Sequence, residues 1–597
     1  MMMVNMFIAD DVFTVIAQNG TVRLLFVSPE RMGNPHLLAA LRPHMPLPLV
    51  VVDEAHCVAE WGHSFRPAYF RLGEVLQRDV QSRCVLALTA TATKATEAAV
   101  CDVLRIPETQ VLRDSAIRDN LRLHVVRSRG TPTACAGTGI ISSGWEQVVS
   151  LFRSKGPLSN SRSAIVYCAW KSDADALASA LVSSGVNAKA YHAGRSLQDR
   201  SNIEKAFGIG RLRVVVATVA FGMGIDISSV DAVVHATMPR SLEEYVQQIG
   251  RAGRDGSQGR CFAHLSDQDF ISLRSLAYSG MVSRDAIATV LSKIFSQDYD
   301  KKNKNYGALD CKKLAAEVDM QEDSIEALLG YLEADERPFL RVLPAVALTT
   351  KVSFYASTPE DMMDEYPIVK AVVASCPRPR NGLHTAPTAK LAVAAQKPPG
   401  AVLQDLQAMA QRKLIGFEQP WEKGPAFEVL RFPRDLNELA TTLHARLSFT
   451  LRCQVARLDT SYRSLNAAAS QNNPEKQEQA LREALEEYFS RQEQGTATEQ
   501  KEDPCAALDL DGLPLRVCDE KVLLAAKTTL RRNMEQGGPA MCAQVLARVL
   551  HGTGTAAVPR SVWSKQLPHF WGKLKDVDFA HVHKACAMAC NSVTNDK

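Results

Sequence analysis

Several features that would define a protein class at once are missing from this 597-residue sequence. Its fourteen cysteines include no CxxC pair and no ladder of short spacings, which excludes a disulfide framework and favours reduced, intracellular thiols. The first seven residues are mostly apolar, but the run is short and Asp10 and Asp11 follow closely, so they predict neither a signal peptide nor a membrane span. The formal net charge of +4 is too small to predict a nucleic-acid partner, so any basic surface must be local.

The sequence also lacks the phosphate-binding pattern GxxxxGK[ST]. Its single Gly-Lys pair, Gly572-Lys573, is followed by Leu574. Without that loop nothing cradles the β- and γ-phosphates of a nucleotide, and no hydroxyl completes a magnesium shell. We therefore expect the chain as written to hydrolyse ATP poorly.

Roughly the first 270 residues alternate short apolar runs with helical patterns, as βαβ units on a parallel sheet do. Ligands of such sheets bind beyond the carboxyl ends of the strands, where each run here ends in a polar cluster. A Gly-, Ser- and Thr-rich stretch at 128–145 predicts a surface insertion. The runs predicted to be buried strands are 24–27, 49–52, 85–88, 165–167 and 214–216.

After residue 267 the pattern changes to helices with brief strands. Apolar spacing over 314–332 predicts two helices and a tight turn, followed by a strand at 339–343, which is a winged-helix outline. A second such unit is predicted to end with a helix at 402–414 and a strand at 427–432. The predicted domains are a partial first α/β domain (1–117), a second α/β domain (118–267), a helical or winged-helix domain (268–345), a second winged-helix-like domain (346–445), a helical segment (446–491), a disordered linker (492–514) and a C-terminal helical domain (515–597).

An acidic pair, Asp53 and Glu54, follows directly on β-branched residues, which places two carboxylates at the end of a strand. Such a pair suits magnesium-bound nucleotide: Asp53 would orient the metal through water, and Glu54 would polarise the water that attacks the γ-phosphate. The alternative is an ordinary acidic charge at a helix N-terminus.

The loop that follows combines aromatic rings with basic groups at Trp61, His63, Phe65 and Arg66. This combination stacks bases and holds phosphates. The alternative is a loop that packs its rings into its own domain, and for Tyr69 that alternative is at least as good.

Threonines and a histidine after other strands are further candidates for nucleic-acid contact. Thr89 and Thr91 offer hydroxyls that could link nucleotide state to strand contacts, and Thr218 follows the strand at 214–216. His192 is predicted to touch nucleic acid, although a capping or core histidine is nearly as good an interpretation.

In the second α/β unit, Gly222, Gly224 and Asp226 lie in a loop whose glycines permit close approach to phosphate or ribose. Arg251 and Arg254 are three residues apart, which predicts one face of a helix directed at a shared anion. Arginines at this spacing are usually solvated, but the flanking glycines and the upstream acidic pair favour an arginine finger.

Taken in order, these segments resemble the superfamily 2 helicases. VSPER, DEAHCVAEWGHSFRP, ALTATAT, YHAG, VATVAFGMGID and QIGRAGRDG are similar to the RecQ family in particular. The resemblance implies an α/β fold with two RecA-like parallel-sheet motor domains, the first incomplete, followed by winged-helix and helical accessory domains. It also implies ATP and Mg²⁺ as cofactors, 3′-to-5′ DNA unwinding in repair, recombination and replication, and a nuclear location. RNA helicases share the acidic box and the arginine pair but not the aromatic-rich loop.

The expected partners are single-stranded and forked or junction DNA together with replication and repair proteins, without a membrane. The expected catalytic residues are Asp53, Glu54, Gln247, Arg251 and Arg254. The expected ATP-binding residues are Asp53, Glu54, His56, Gly222, Gly224, Asp226, Arg251 and Arg254. The expected DNA-binding residues are Ser28, Arg31, Trp61, His63, Phe65, Arg66, Thr89, Thr91, His192, Thr218, Lys565 and Trp571.

The C-terminal half resembles the Rothmund–Thomson-type subgroup at 319–333 and 547–579. Some of its members carry a zinc site, but the equivalent stretch, 297–311, offers only Cys311, so no zinc is predicted. The second helix of the winged-helix outline is acidic and would be repelled by phosphates, which favours a scaffold role. Basic and aromatic residues around Lys565 and Trp571 are better candidates for DNA contact, with inward packing of the rings as an equal alternative.

The acidic box begins at Asp53, whereas the family places its phosphate-binding loop well over a hundred residues upstream. We therefore expect a truncated gene model whose first domain has an unpaired sheet edge and an exposed core. The alternative function is a catalytically inactive DNA-binding or scaffold fragment, although Glu54 and Arg254 would then have no use.

Overall fold

The computed structural model describes residues 24–32, 35–58, 69, 72–73, 75–128, 143–221, 230–295, 304–335, 337–490, 513–515, 520–537, 541–555 and 558–595. Most of the predicted insertion at 128–145 and of the predicted linker at 492–514 lies outside these ranges.

The first α/β unit is built on two parallel strands, which run in register from Val50 opposite Val85. Apolar side chains from the strands and helices, including Val52, Leu76 and Val100, form its core. Its elements are α1 (Pro29–Met32), α2 (Pro35–Leu41), β1 (Val50–Val52), β2 (Val85–Ala87) and α3 (Lys94–Leu104).

The strand predicted at 24–27 is wrong. These residues have no regular secondary structure, and Leu24 and Phe26 are 61% and 67% exposed. An apolar run becomes a strand only when a neighbour takes its backbone hydrogen bonds, and among the described residues β1 and β2 pair only with each other.

The second α/β unit is a parallel sheet with the strand order β3-β8-β7-β4-β6-β5 among the described residues. Every residue of β4, β6 and β7 is buried, because helices cover both faces of the sheet. The predicted strands at 165–167 and 214–216 are confirmed as parts of β4 and β6. The elements are β3 (Leu121–Arg127), α4 (Ser143–Phe152), β4 (Ala164–Tyr167), α5 (Lys171–Ser183), β5 (Ala188–Tyr191), α6 (Leu197–Gly208), β6 (Val214–Ala217), β7 (Ala232–His235), α7 (Leu242–Ile249) and β8 (Gly259–Leu265).

Two small antiparallel sheets follow, and the second is inserted between two strands of the first. The first sheet has the order β10-β14-β9 and the second β12-β11-β13 in the described part of the chain. The strand predicted at 427–432 to close the second unit instead pairs, as β14, with β9 and β10. The elements are α8 (Asp267–Tyr278), α9 (Arg284–Ile294), β9 (Asn305–Ala308), α10 (Cys311–Val318), α11 (Glu322–Glu333), β10 (Leu340–Ala347), β11 (Thr349–Phe354), α12 (Pro359–Met362), α13 (Pro367–Ser375), β12 (Leu383–Pro387), α14 (Thr388–Ala395), α15 (Pro399–Gln411), β13 (Ile415–Glu418) and β14 (Lys423–Val429).

The remaining chain is helical. A long hairpin packs apolar side chains such as Tyr462 and Leu485 into the core of the second α/β unit. The C-terminal helices form a core of their own around Trp563 and Phe579, which also contains Tyr278 of α8. The elements are α16 (Leu436–Ala469), α17 (Pro474–Ser490), α18 (Glu520–Glu535), α19 (Ala543–His551), α20 (Arg560–Gln566) and α21 (Phe579–Asn595).

None of the helices in the described ranges combines the length and apolarity needed to cross a bilayer. Nor do the described residues contain a cluster of three His, Cys, Asp or Glu side chains suited to a metal ion.

Candidate nucleotide and nucleic-acid site

The acidic pair lies at the carboxyl end of β1, as predicted. Asp53 is exposed, and its Oδ1 accepts the Glu54 backbone N–H at 2.9 Å. Glu54 has φ +50°, a left-handed conformation that costs a non-glycine residue on the order of 1–2 kcal/mol. The backbone is held in it because Ala55 N–H donates to the Leu88 carbonyl at 2.9 Å, which ties the turn to the end of β2.

His56 connects the acidic pair to the threonine segment, residues 89–93. Its Nδ1 lies 2.9 Å from Thr89 Oγ1 and 3.4 Å from Glu54 Oε2. The imidazole is buried, so the contact is shielded from water. Two motifs more than thirty residues apart in sequence are therefore one connected group.

The threonine segment leads directly into α3. Thr93 caps the helix by accepting the Thr96 N–H, and Thr91 is buried. In the first turn, Lys94 donates to Glu97 at 2.9 Å and Arg113 donates to the same carboxylate at 2.6 Å. Burial raises the pKa of Glu97, but hydrogen bonds from the two cations outweigh it and lower the pKa overall.

Arg251 and Arg254 lie in a turn, residues 250–256, that we call the arginine turn. The prediction that they share a helix face is wrong, because α7 ends at Ile249 and Gly253 takes φ +58°. Arg254 is exposed, and Arg251 is half-buried with an Nε–H that has no hydrogen-bond partner within the described structure. A buried, unpartnered guanidinium N–H is well suited to an anion.

Tyr167, at the end of β4, holds Arg251 beside the six-stranded parallel sheet. Its hydroxyl donates to the Phe221 carbonyl at 2.9 Å, and the Arg251 side chain hydrogen-bonds to it. Burial raises the pKa of Tyr167 to about 12, so the hydroxyl keeps its proton. Phe221 immediately precedes the glycine loop with Gly222, so Tyr167 connects the starts of two predicted nucleotide-binding segments. Sequence reasoning identified Tyr167 only as a strand residue.

Arg118 and Asn120 hold the backbone of the arginine turn. Arg118 donates to the carbonyls of Gly250, Ala252 and Gly253, and Asn120 donates to the carbonyl of Gly253 at 2.9 Å. Sequence reasoning missed both residues. Their signal is weak, because their acceptors are backbone groups more than a hundred residues away.

Gln247 is half-buried on α7, whereas its neighbour Gln248 is buried and structural. Gln248 Oε1 lies 2.7 Å from His235 Nε2. Burial lowers the pKa of His235 to about 4, so this histidine is neutral and donates to the amide oxygen.

His192 lies in a turn that satisfies both of its ring nitrogens. Its Nδ1 accepts the Gly194 N–H at 3.2 Å, and its Nε2 lies 3.1 Å from Asp175 Oδ2. The ring is buried, which favours the capping interpretation over nucleic-acid contact. Thr218 is also buried, and its backbone N–H donates to the Tyr191 carbonyl at 3.2 Å.

Two other groups of predicted DNA contacts differ in their surroundings. Ser28 and Arg31 are exposed at α1, and Lys565 is exposed on α20. Trp571 is half-buried against the C-terminal core, so the structure favours the packing alternative for this ring. Tyr69 likewise packs into the core of the first α/β unit. The predicted site residues outside the described residues are Trp61, His63, Phe65, Arg66, Gly222, Gly224 and Asp226.

The acidic face predicted on the second helix of the winged-helix outline is present on α11. Glu322, Asp323 and Glu326 are exposed there. Burial, and then the charges of Asp323 and Glu322, raise the pKa of Glu326, as expected for like charges on one surface.

Two family descriptions match the chain. "DEAD/DEAH box helicase" matches residues 7–99, and "Helicase conserved C-terminal domain" matches residues 146–256. The first match contains the acidic pair and the threonine segment, and the second contains the arginine turn.

Curated relatives are named as DNA helicases. The chain is 33% identical over 575 residues to "ATP-dependent DNA helicase Q-like 5" of Arabidopsis thaliana, which covers 95% of this chain and 59% of that protein. It is 36% identical to "ATP-dependent DNA helicase RecQ" of Pasteurella multocida, over 43% of this chain and 38% of the relative. It is 35% identical to human "ATP-dependent DNA helicase Q4", over 46% of this chain and 23% of the relative. The chain thus spans between about a quarter and three fifths of these relatives' lengths.

Among solved structures, yeast Dbp5 bound to RNA and ADP BeF3 is similar at 22% identity, with a TM-score of 0.32 over 39% of this chain and 58% of that one. A likeness of that size supports no argument about function.

Proposed function

The chain belongs to the RecQ family of ATP-dependent DNA helicases, and we propose that it forms the strand-separating motor of such an enzyme, with ATP hydrolysis driving movement along DNA. Because the chain spans only part of its relatives, the activity is proposed for the protein of which these residues are the motor and accessory region. We further propose 3′-to-5′ polarity, a role in repair, recombination and replication, a nuclear location and membership of the Rothmund–Thomson-type subgroup.

The observation that carries the proposal is the connection through His56. Its Nδ1 contacts both the Glu54 carboxylate and the Thr89 hydroxyl. A motor needs the hydrolytic group and a strand-contacting segment to respond to each other. A pure binding module has no use for a strained glutamate joined to a threonine in this way.

Asp53 and Glu54 divide the hydrolytic work. The Asp53 carboxylate is exposed and its Oδ1 accepts the Glu54 N–H, an arrangement that suits a metal contact through water. Magnesium bound with ATP would supply charge neutralisation on the phosphates. Glu54 would hold and polarise the attacking water. Arg251 and Arg254 would stabilise the charge that develops on the transferred phosphoryl group, an effect worth about 10³–10⁵ in rate in related chemistry.

The proposed DNA path uses Ser28, Arg31 and Thr89 together with the aromatic-rich loop that begins after Val58. Thr91 is buried, so its proposed role is to support the threonine segment from within the chain. Single-stranded and forked or junction DNA are the proposed ligands. The buried state of His192 makes it a positioning residue in this scheme, since its two nitrogens are engaged within the chain. Lys565 adds an exposed cation on the C-terminal helices.

The 597 residues contain no GxxxxGK[ST] loop, so we propose that this chain alone hydrolyses ATP slowly. The second candidate function, a DNA-binding or scaffold protein without turnover, rests on the same observation. The two candidates make opposite statements about Glu54, which is needed for turnover and unnecessary for binding.

DNA-stimulated ATP hydrolysis tests the proposal. The measurement compares this chain with a form extended upstream to include a phosphate-binding loop, each with and without Glu54→Gln. We expect stimulated hydrolysis in the extended form and its loss in Glu54→Gln, with DNA affinity retained. DNA binding without hydrolysis in every form would establish the scaffold function, and preferential unwinding of RNA duplexes would overturn the choice of substrate.

A further inference from the structure

We infer that Arg118 is the positioning residue of the arginine turn: it sets where Arg251 and Arg254 stand by holding the backbone that carries them. The inference rests on the proposed function for its catalytic consequence. The physical role, holding the turn, can be measured without hydrolysis.

The guanidinium of Arg118 makes three hydrogen bonds to this one turn. Nη1 donates to the Gly253 carbonyl at 2.9 Å, and Nη2 donates to the carbonyls of Gly250 and Ala252, both at 2.6 Å. Gly250 and Ala252 flank Arg251, and Gly253 immediately precedes Arg254. Because a guanidinium is planar and rigid, three bonds to it fix the acceptors relative to one another, which a lysine ammonium on a flexible stem does not do.

Asn120 adds a second attachment two residues later. Its Nδ2 donates to the carbonyls of Gly253 at 2.9 Å and Ser257 at 2.6 Å. Gly253 has φ +58°, and a Cβ there would lie 2.5 Å from the Ser257 oxygen and 2.8 Å from Asn120 Nδ2. The turn is therefore packed tightly against the segment that holds it.

The cations are close enough to interact. Burial first, and then the charge of Arg254, lower the pKa of Arg118. Arg251 and Arg254 both act on Tyr167 at the end of β4 as well, so the charges of the arginine turn are felt both by Arg118 and by the six-stranded parallel sheet. Arg118 differs from Arg251 because backbone carbonyls use its donors, whereas Arg251 keeps an Nε–H without a partner in the described part of the chain.

Arg118 belongs to the segment that joins the two α/β units, residues 105–120. In the middle of the same segment, Arg113 donates to Glu97 and to the Ala92 carbonyl of the threonine segment, at 2.6 and 2.9 Å. One short connection is thus bonded to the threonine segment through Arg113 and to the arginine turn through Arg118. A movement of the first unit that displaces this connection is transmitted to Arg251 and Arg254.

Hydrogen–deuterium exchange on the full chain tests the holding role. The variants are Arg118→Gln and Arg118→Lys, with Arg122→Gln as the control. The Arg122 side chain is 54% exposed, and its Nη1 lies 3.7 Å from Glu478 Oε1, a long surface ion pair. The reporter amides are those of Ala252 and Gly253, which donate to the Ile249 and Val230 carbonyls. Exchange at these amides should rise about tenfold or more in both Arg118 variants and stay unchanged in the control.

A mutant cycle tests the catalytic consequence in a form that hydrolyses ATP. Arg118→Gln should lower kcat on the order of 10²-fold and leave the KM for ATP and the DNA affinity within about twofold. Added to a variant in which Arg251 and Arg254 are both alanine, it should cause no further loss of kcat, because both groups that Arg118 positions are then already absent from the transition state.

Three results would overturn the inference: unchanged hydrogen–deuterium exchange in the arginine turn, an increase in exchange that extends equally over the whole six-stranded parallel sheet, or fully additive losses of kcat in the mutant cycle. An absence of hydrolysis in the wild-type extended form would instead count against the proposed function. The exchange measurement would still decide whether Arg118 holds the turn.

Discussion

His56 has one ring nitrogen facing two partners, and this geometry makes it a switchable contact. Nδ1 lies 2.9 Å from Thr89 Oγ1 and 3.4 Å from Glu54 Oε2. In the tautomer that carries its proton on Nδ1, a single N–H can point fully at only one acceptor, so a change in the position or charge of the Glu54 carboxylate alters the bond to Thr89. The two motifs are thereby coupled through one proton.

Replacing His56 by Ala should uncouple the two motifs. Alanine has no polar side-chain atom in place of Nδ1, and loss of one hydrogen bond of about 1 kcal/mol corresponds to roughly a fivefold to tenfold loss in the DNA-stimulated part of hydrolysis. The measurement is the ratio of ATP turnover with and without single-stranded DNA in an extended, active form. His44→Ala, at an exposed histidine of the same unit, is the control. An unchanged ratio would show that the signal travels by another route.

Sequence predicted the residues of the site better than their surroundings. Asp53 and Glu54 lie at a strand end as expected, because an apolar β-branched run followed by carboxylates has few other solutions. The helix predicted for Arg251 and Arg254 was wrong because a pattern of spacings does not reveal that Gly253 takes a left-handed conformation. Arg118 could not be predicted, since its partners are backbone carbonyls and carry no sequence signal.

At the scale of elements, β1 and β2 form a pair with an incompletely covered surface. Val51 and Leu86 are 48% and 44% exposed, although both lie in apolar strands that were predicted to be buried. The strand positions were predictable from the apolar runs. Their burial was not, because burial depends on which neighbouring elements cover each face.

Threonine at both exposed positions should reduce surface hydrophobicity without loss of fold. Val51→Thr with Leu86→Thr keeps β propensity and removes exposed apolar surface, so binding of a hydrophobic dye should fall while the melting temperature changes by no more than a few degrees. The buried position Val52→Thr is the matched control and should destabilise the unit. A large loss of stability in the double variant would indicate that these faces are covered in solution.

At the scale of the whole molecule, buried ion pairs attach the C-terminal helices to the rest of the chain. Arg274 of α8 pairs with Asp459 of α16, and with Asp578, just before α21, at 2.8 Å. Arg548 of α19 pairs with Asp319, the residue that follows α10, at 2.8 Å. These contacts join segments that are hundreds of residues apart, and no local pattern in the sequence predicts them.

His551 should make this attachment sensitive to acid. Its Nδ1 lies 2.8 Å from Ser275 Oγ, and its Nε2 donates to the Val577 carbonyl. Burial is the main effect that lowers the pKa of His551 to about 4, and the charge of Arg274 adds to it. The Val577 carbonyl, Asp578 and Asp576 act in the opposite direction but do not outweigh burial. The unfolded chain binds this proton near pH 6.5. Stability from His551 is therefore present above about pH 6.5 and is lost as the pH falls towards 4, by on the order of 2 kcal/mol at pH 5.

The prediction is a difference between wild type and His551→Gln in thermal unfolding at about pH 7 and about pH 5. The variant should lose less stability between the two conditions, because glutamine does not titrate. The comparison with the variant is needed because two buried carboxyl groups titrate in the same range. Burial raises the pKa of Asp459 to about 6, and burial with the charge of Asp173 raises that of Asp269 to about 7. The stability that these two groups contribute is lost as the pH rises, which is opposite to the effect of His551. Equal pH dependence in both proteins would count against a titrating role for His551.

The buried cation of Arg274 should be essential for the assembled molecule. Arg274→Met leaves Asp459 and Asp578 buried without their partner, a loss of about 3–5 kcal/mol in the free energy of unfolding. Thermal unfolding and the rate at which trypsin releases C-terminal fragments measure it. Arg532→Met, which breaks an exposed pair with Glu535, should cost less than about 1 kcal/mol. If the two variants behave alike, the C-terminal helices are held by apolar packing around Phe579 and Tyr278, and the ion pairs only fix their orientation.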